Sequence, residues 1–177
     1  EDIQEVADGV EIIAPASPWQ HIRPIGEDIV QCEKIIPATH KIRPVDIGAL
    51  LSGGIFELEV IKKPSVGILP TGTEIVEPKH DLKPGEIIDS NSRMLDSLTL
   101  EYGGLPKRYT AIKDDYDLLK NQIKLMSETH DIVLINAGSS AGSEDYTMSI
   151  IKELGEVIVH GVAIKPGKPA ILGIINN

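Results

Sequence analysis

After residue 64, short apolar runs alternate with amphipathic segments, and this alternation restricts the fold more than any other feature of the sequence. Runs typical of buried strands lie at 65–70, 109–112, 132–135, 157–162 and 170–175. Apolar residues recur at helical spacing at about 92–102, 115–126 and 146–154. Since strand–helix–strand units with short loops produce parallel strands covered by helices, we expect a three-layer α/β/α domain with a mostly parallel sheet.

The first 63 residues have a different composition, with five prolines among brief apolar runs. Strands are predicted at 10–13, 28–31 and 33–36, a short helix at 43–51, and a half-exposed strand at 56–60, where apolar residues alternate with glutamates. We therefore expect a β-rich segment of a partial companion domain at 1–63 and an α/β domain at 64–177. Because the chain begins with Glu1 rather than Met, we also expect an excised fragment.

Charge and composition narrow the classes of partner. The 17 basic residues are outnumbered by 27 acidic ones, giving a net charge of −10, so the field of the molecule disfavours nucleic acid and anionic membranes. No apolar run approaches the roughly 18 residues that a membrane span requires. A single cysteine, Cys32, excludes an internal disulfide and fits a reducing compartment. We expect a cytoplasmic protein that binds small molecules, with no nucleic-acid or membrane partner.

Two predicted strands end in loops of small residues. The strand at 132–135 continues into a loop at 137–143 and then a helix, an arrangement that presents backbone N–H groups and a positive helix end to an anion. The strand at 65–70 ends in Thr71, Gly72 and Thr73. In a flavodoxin-like strand order the first and third strands are neighbours where the order reverses, so these loops are predicted to meet. Taken alone, each loop is equally consistent with a tight strand–helix turn.

Two acidic residues follow these loops. Glu74 and Asp145 could bind a metal ion or orient a hydroxyl or a water molecule. The alternatives are a solvated loop acid for Glu74 and, for Asp145, a first-turn acid that stabilises the helix dipole.

Further polar groups lie in two other turns. Lys165 and Lys168 flank Gly167 in a proline-stiffened turn and could form a cationic clamp, although an exposed hairpin turn has the same composition. Asp89 and Asn91 precede a helix, where a capping role is the first interpretation.

Taken together, four motifs occur in an order that resembles a known family. They are LPTGTEIVE at 69–77, GEIIDSN at 85–91, AGSSAGSEDYT at 137–147 and HGVAIKPGKP at 160–169. This set is similar to the molybdopterin-binding domain of the molybdopterin molybdotransferases, the MoeA and gephyrin E-domain group. The segment before it resembles the β-rich part that precedes this domain in the family. The resemblance also implies that the α/β domain is truncated at its C-terminal end, because the chain stops at Asn177, before segments expected in complete members.

The resemblance implies a transferase of molybdenum cofactor biosynthesis. Such enzymes insert molybdate into the dithiolene of adenylylated molybdopterin and release AMP, with Mg²⁺ as the expected cofactor. By this resemblance Asp145 and Glu74 are the catalytic acids and the Mg²⁺ ligands. The implied substrate-binding residues are Thr71, Gly72, Thr73, Asp89, Asn91, Gly138, Ser139, Ser140, Gly142, Ser143, Lys165, Gly167 and Lys168.

One departure from the family pattern keeps other functions open. The usual Gly-Gly-Val-Ser-Val-Gly loop reads Ala-Gly-Ser-Ser-Ala-Gly at 137–142, a change expected to alter affinity or substrate. A molybdopterin adenylyltransferase is one alternative, which the segment before residue 64 disfavours. A non-catalytic pterin-binding sensor or scaffold is the other. We expect the fragment to fold, to bind ligand weakly and to turn over substrate poorly. Both a monomer and a homodimer are consistent with the sequence.

Overall fold

The chain forms two compact units, residues 1–60 and 61–177. The computed structural model describes residues 2–137 and 143–175, and for residues 143–145 it describes the helical backbone alone. None of the described helices is both long enough and apolar enough to cross a membrane.

The first unit contains a β-hairpin and one short helix. Strands β1 (Ile3–Val6) and β2 (Gly9–Ile12) pair antiparallel, and helix α1 spans Pro44–Ser52. Pro44 suits the first turn of α1 because its missing N–H would have no partner there. Gly53 ends the helix by donating its N–H to Ala49 O. The predicted helix and the strand at 10–13 are thus confirmed.

A carboxylate holds the start of α1. Asp46 accepts hydrogen bonds from the backbone N–H of Arg43 at 2.7 Å and from its guanidinium at 2.9 Å, and His40 Nε2 lies 2.7 Å away. These bonds, chiefly those from Arg43, hold the pKa of Asp46 far below its usual range. The turn at 40–46 is therefore fixed around a charged side chain.

Three predicted strands of this unit are wrong. Residues 28–31 and 33–36 form turns and irregular chain, with turn hydrogen bonds from Glu27 N to Pro24 O and from Glu33 N to Val30 O. Residues 56–60 alternate between apolar and acidic side chains, but they belong to no strand. Alternating apolar and polar side chains show only that a segment has one apolar and one polar side. A strand also needs a neighbouring strand to hydrogen-bond with, and the described residues supply none here.

The second unit alternates strands and helices. Its elements are β3 (Ser65–Thr71), β4 (Ile75–Val76), β5 (Ile87–Ile88), α2 (Asn91–Glu101), β6 (Leu105–Arg108), α3 (Tyr116–Thr129), β7 (Ile132–Ala137), α4 (Ser143–Leu154), β8 (Gly155–His160) and β9 (Ile171–Ile175). The main sheet is parallel, in the order β6–β3–β7. Strands β4 and β5 form a small parallel pair, and β8 and β9 form an antiparallel hairpin.

Helices cover both faces of the main sheet. Leu69 of β3 belongs to a buried cluster with residues of α3 and α4, against which Val133 and Ile135 of β7 also pack. The intervening residues, such as Val66 and Leu134, face the opposite side, where they line a small apolar cavity with α2. The α/β/α architecture predicted from the sequence is confirmed.

The strand order reverses at β3, which is the first strand of the sheet in the sequence but lies at its centre. Six residue pairs join β3 to β7, from Val66–Ile132 to Thr71–Ala137. At the amino ends, Asp131 accepts hydrogen bonds from Ser65 N at 2.7 Å and Ser65 Oγ at 3.0 Å, which lower the pKa of Asp131. Since this contact fixes the register, the carboxyl ends of β3 and β7 are level with each other.

The second strand of the sheet lies four residues earlier than predicted. Strand β6 is Leu105–Arg108, whereas 109–112 contributes only one bridge, between Ile112 and Thr71. As an edge strand, β6 tolerates Pro106 and polar residues. The apolar side chains of Tyr109 and Ile112, which suggested the strand, instead pack against the buried cluster.

Candidate functional site

The two small-residue loops leave the sheet from neighbouring strand ends. Thr71 pairs with Ala137, so the turn at 71–74 and the loop at 138–142 start side by side. The predicted substrate-binding residues Gly138, Ser139, Ser140 and Gly142 lie outside the described residues. Helix α4 begins at Ser143, directly after that loop, and its N-terminal N–H groups lie at this edge of the sheet.

The carboxylate of Glu74 folds back over the end of β3. A Cβ atom added to Gly72 would lie 2.9 Å from Glu74 Oε2, and Gly72 has a φ of 133°. Glu74 Oε1 and Thr71 Oγ1 are buried and have no hydrogen-bond partner within the described part of the chain. Unpaired buried oxygens are unfavourable, and both of these lie at the carboxyl end of β3.

A third acid at this edge was missed by sequence reasoning. Burial, followed by repulsion from Glu74, raises the pKa of the Asp114 carboxyl. The backbone accounts for this proximity, because Gly72 N donates to Ile112 O at 3.0 Å, two residues before Asp114. The sequence feature that could have revealed Asp114 is the acidic pair at 114–115. Helix α3 uses only Asp115 as its N-cap, so Asp114 is available for another role.

Asn91 brings the start of α2 to the same edge. Its Nδ2 lies 3.5 Å from Asn136 Oδ1, near the end of β7. Asn136 alternates with the core-facing residues of β7, so it lies on the α2 face of the sheet. The predicted residues Thr71, Gly72, Glu74 and Asn91 thus lie at the carboxyl ends of β3 and β7, and Thr73 lies exposed in the turn between them.

Asp89 is buried, and its carboxylate already has hydrogen-bond and ion-pair partners. Its carboxylate accepts hydrogen bonds from Ser92 N at 3.0 Å and from Ser92 Oγ, and Arg93 and Arg108 lie 3.6 and 3.7 Å away. Glu77 bridges the same two arginines, which lower its pKa. The observed contacts of Asp89 fix the start of α2, and a contact with substrate stays a prediction.

The lysine turn connects β8 to β9. Its base is closed by a hydrogen bond from Val162 N to Lys168 O at 2.9 Å. Gly167 lines the same cavity as Ala137, the last residue of β7. Lys165 and Lys168 are exposed and available to an anion.

The described side chains do not by themselves form a metal centre. No group of three or more His, Cys, Asp or Glu within residues 2–137 and 146–175 is arranged to hold a metal ion. Asp145 has its backbone in the first turn of α4, while its side chain is outside the described set.

Replacing Gly72 with alanine should damage both the fold and the site. The left-handed backbone and the 2.9 Å approach to Glu74 Oε2 leave no room for Cβ. We expect a loss of about 1–3 kcal/mol in the free energy of unfolding, measured by urea denaturation. Gly48→Ala is the control: Gly48 lies in α1 with no atom within 4 Å of its added Cβ, so stability should stay equal or rise. Equal stability of Gly72→Ala and the original chain would contradict the described turn.

Comparisons with known proteins agree with this arrangement. Residues 67–177 match a family model described as "Probable molybdopterin binding domain", and residues 1–54 match "MoeA N-terminal region (domain I and II)". The chain belongs to the MoeA family of molybdopterin molybdotransferases. The family expectation drawn from the four motifs is confirmed.

Individual MoeA relatives extend over nearly the whole chain. A Methanocaldococcus jannaschii protein named for molybdopterin biosynthesis is 38% identical, and the alignment covers 98% of this chain and 45% of the relative. A molybdopterin molybdenumtransferase of Haemophilus influenzae is 31% identical over 90% of this chain and 40% of its own. The crystal structure of a MoeA protein from Pyrococcus horikosii superimposes with a TM-score of 0.76 at 37% identity, covering 98% of this chain and 43% of that one. The chain thus spans less than half the length of these relatives.

Proposed function

We propose that this chain is the pterin-binding part of an enzyme that inserts molybdate into adenylylated molybdopterin and releases AMP. The observation that carries the proposal is the pairing of Thr71 with Ala137, which starts the Glu74 turn and the loop before α4 side by side. A ligand at this edge contacts backbone donors from one strand end and carboxylates from the other. Membership of the MoeA family supports the same assignment.

The anionic parts of the substrate have suitable partners here. The N–H groups at the start of α4 are available to a phosphate. Lys165 and Lys168 add two positive charges to a protein that is otherwise strongly acidic. Local groups therefore attract the phosphate, while the net charge of −10 of the whole chain discourages larger polyanions.

The acidic residues fit a hard cation. Glu74 offers a buried oxygen without a partner in the described part of the chain, Asp114 lies beside it, and Asp145 is in the first turn of α4. Carboxylate oxygens are the ligands that Mg²⁺ prefers. We propose that Glu74 and Asp145 hold Mg²⁺, which when bound neutralises phosphate charge. The two carboxylates also orient the substrate in the site.

The proposal also covers the domain boundary, the cellular location, the oligomeric state and the choice among related functions. We place the domain boundary at 63/64 and propose that the whole protein acts as a cytoplasmic homodimer on small-molecule substrates. The free, exposed Cys32 fits a reducing compartment. The match of residues 1–54 to the MoeA N-terminal model favours a molybdotransferase over an adenylyltransferase. A sensor or scaffold is separated from an enzyme by Asp145→Asn in the full-length protein, since unchanged cofactor assembly would indicate binding without chemistry.

Calorimetric titration of residues 1–177 with adenylylated molybdopterin tests the binding step. We expect saturable binding that strengthens when Mg²⁺ is added, because the cation offsets repulsion between phosphate and the acids. Heat that does not saturate, with or without Mg²⁺, would contradict the proposed function.

Removing the two turn lysines should weaken that binding. The double variant Lys165→Ala/Lys168→Ala is expected to bind adenylylated molybdopterin about 10-fold more weakly, since charge-assisted contacts to phosphate are lost. The matched control, Lys124→Ala/Lys152→Ala, removes the same charge from the exposed surfaces of α3 and α4. Equal affinities of the two double variants would show that the lysine turn is an ordinary hairpin connection.

A further inference from the structure

Helices α3 and α4 both begin at the edge of the sheet where the candidate site lies. The chain reaches α3 shortly after the bridge that joins Ile112 to the end of β3. It reaches α4 through the loop that follows β7. An acid of the site lies at each start, since Asp114 is next to the N-cap of α3 and Asp145 is in the first turn of α4. The distance between the two helix starts therefore sets the distance between the backbones of these two acids.

Two tyrosine rings join the helix starts. Tyr116 is the first residue of α3, and Tyr146 directly follows Asp145 in the first turn of α4. The two ring centroids lie 5.8 Å apart at an interplanar angle of 85°, the edge-to-face arrangement that aromatic pairs favour. Because this arrangement is directional, the contact fixes both the separation and the relative rotation of the two helix starts.

A carboxylate of α4 holds Tyr116 in the orientation that the ring contact needs. The Tyr116 hydroxyl donates a hydrogen bond of 2.8 Å to Glu153 Oε2, and Lys120 forms an ion pair with the same carboxylate. The bond to Glu153 raises the pKa of the Tyr116 hydroxyl, so the hydroxyl stays protonated and keeps donating. Tyr146 and Glu153 are about two turns apart, so Tyr116 contacts two residues of α4 whose Cα atoms are about 10 Å apart along the helix axis.

The buried cluster between the helices does not reach these helix starts. Its members nearest to the starts are Leu119 in α3 and Ile150 in α4, each about one turn further from the edge of the sheet. Tyr116 packs against this cluster. Tyr116 therefore connects the core to the first turn of α4.

We propose that Tyr116 is a positioning residue, which through Tyr146 and Glu153 holds the first turn of α4 at a fixed place relative to Asp114. The anchored turn carries Asp145 and N–H groups that have no partner within the helix. A displacement of about 1 Å in a catalytic site can cost up to ~100-fold in rate. The catalytic consequence rests on the proposed function, whereas the anchoring of α4 does not.

Spin-label distance measurements by electron paramagnetic resonance test the anchoring without any pterin. In residues 1–177 carrying Cys32→Ser, labels are attached to cysteines that replace Asp117 of α3 and Ser149 of α4, both of which are exposed. We expect Tyr116→Leu to broaden the distribution of label distances at least ~2-fold, because the ring contact and the hydroxyl bond are lost. Tyr146→Leu should also broaden it, and since Tyr146 is 39% exposed, this variant tests the ring contact with little risk to folding.

Tyr102→Leu is the matched control for the label distances. Tyr102 is 84% exposed at the end of α2, on the opposite face of the sheet from α3 and α4. The same chemical change should leave the distribution of distances unaltered there. Distributions for Tyr116→Leu and Tyr146→Leu that are as narrow as that for Tyr102→Leu would overturn the proposal.

The catalytic consequence is measured as the rate of molybdate insertion by the full-length protein at saturating substrate. We expect Tyr116→Leu to lower kcat about 10-fold while circular dichroism shows that the protein is folded. Tyr116→Phe keeps the ring contact and should retain at least about half of the original kcat. Equal kcat values for folded Tyr116→Leu and Tyr116→Phe would overturn the catalytic role of the anchoring. If the unchanged protein does not insert molybdate, the proposed function fails, and the label distances alone decide whether Tyr116 positions α4.

Discussion

Glu74→Gln in the full-length protein is expected to slow molybdate insertion by at least ~100-fold, the usual cost of removing one electrostatic or proton-handling group from a site. The reason is local: Glu74 holds its carboxylate over Gly72 with one oxygen buried and unpartnered within the described part of the chain. The amide keeps the shape of the side chain but removes its charge. The measurement is the initial rate of cofactor formation from adenylylated molybdopterin and molybdate.

The matched control for this variant is Glu128→Gln. Glu128 is exposed near the end of α3, at the opposite edge of the sheet from Glu74. It undergoes the same chemical change and should retain at least about half of the original rate. A Glu74→Gln protein that is folded and as active as the control would remove Glu74 from the catalytic site.

Leu69→Ala is expected to lower the free energy of unfolding by about 2–5 kcal/mol. Leu69 is fully buried in the central strand of the sheet and contacts the cluster formed by α3 and α4. Truncation removes buried apolar surface and leaves a cavity that a central strand cannot close by moving. Urea denaturation of residues 1–177, followed by circular dichroism, measures the change.

Leu125→Ala on α3 provides the comparison. Its side chain is 53% exposed, and alanine is a strong helix former, so the change should be under about 1 kcal/mol. A loss for Leu69→Ala as small as that for Leu125→Ala would mean that β3 is not the centre of the folded sheet.

The second unit could be predicted from sequence because each of its elements carries its own periodicity. Helices α2, α3 and α4 were predicted to within about three residues at each end, since an amphipathic helix buries one face regardless of its neighbours. The neighbouring positions of β3 and β7 followed from the topology of parallel sheets. These rules predict that the strand ends at Thr71 and Ala137 are neighbours, as the pairing of β3 with β7 shows.

Features that depend on partners distant in sequence were harder to predict. Strand β6 is selected by its pairing with β3, so polar Lys107 and Arg108 occupy it while apolar residues further along do not. Residues 56–60 alternate correctly but have no paired strand among the described residues. Asp114 has no local pattern that places it at the site, and the bridge from Ile112 to Thr71 is the contact that brings it near Glu74. In each case a contact, rather than a local pattern, determined the outcome.

The proposed function requires that the carboxyl ends of β3 and β7 bind the same ligand. Nuclear magnetic resonance titration of ¹⁵N-labelled residues 1–177 with adenylylated molybdopterin measures this directly, residue by residue. We predict that amide signals of Thr71–Thr73 and of Ala137–Ser143 shift together, with one common dissociation constant. Shifts confined to one of the two loops, or separate dissociation constants for the two, would contradict the claim.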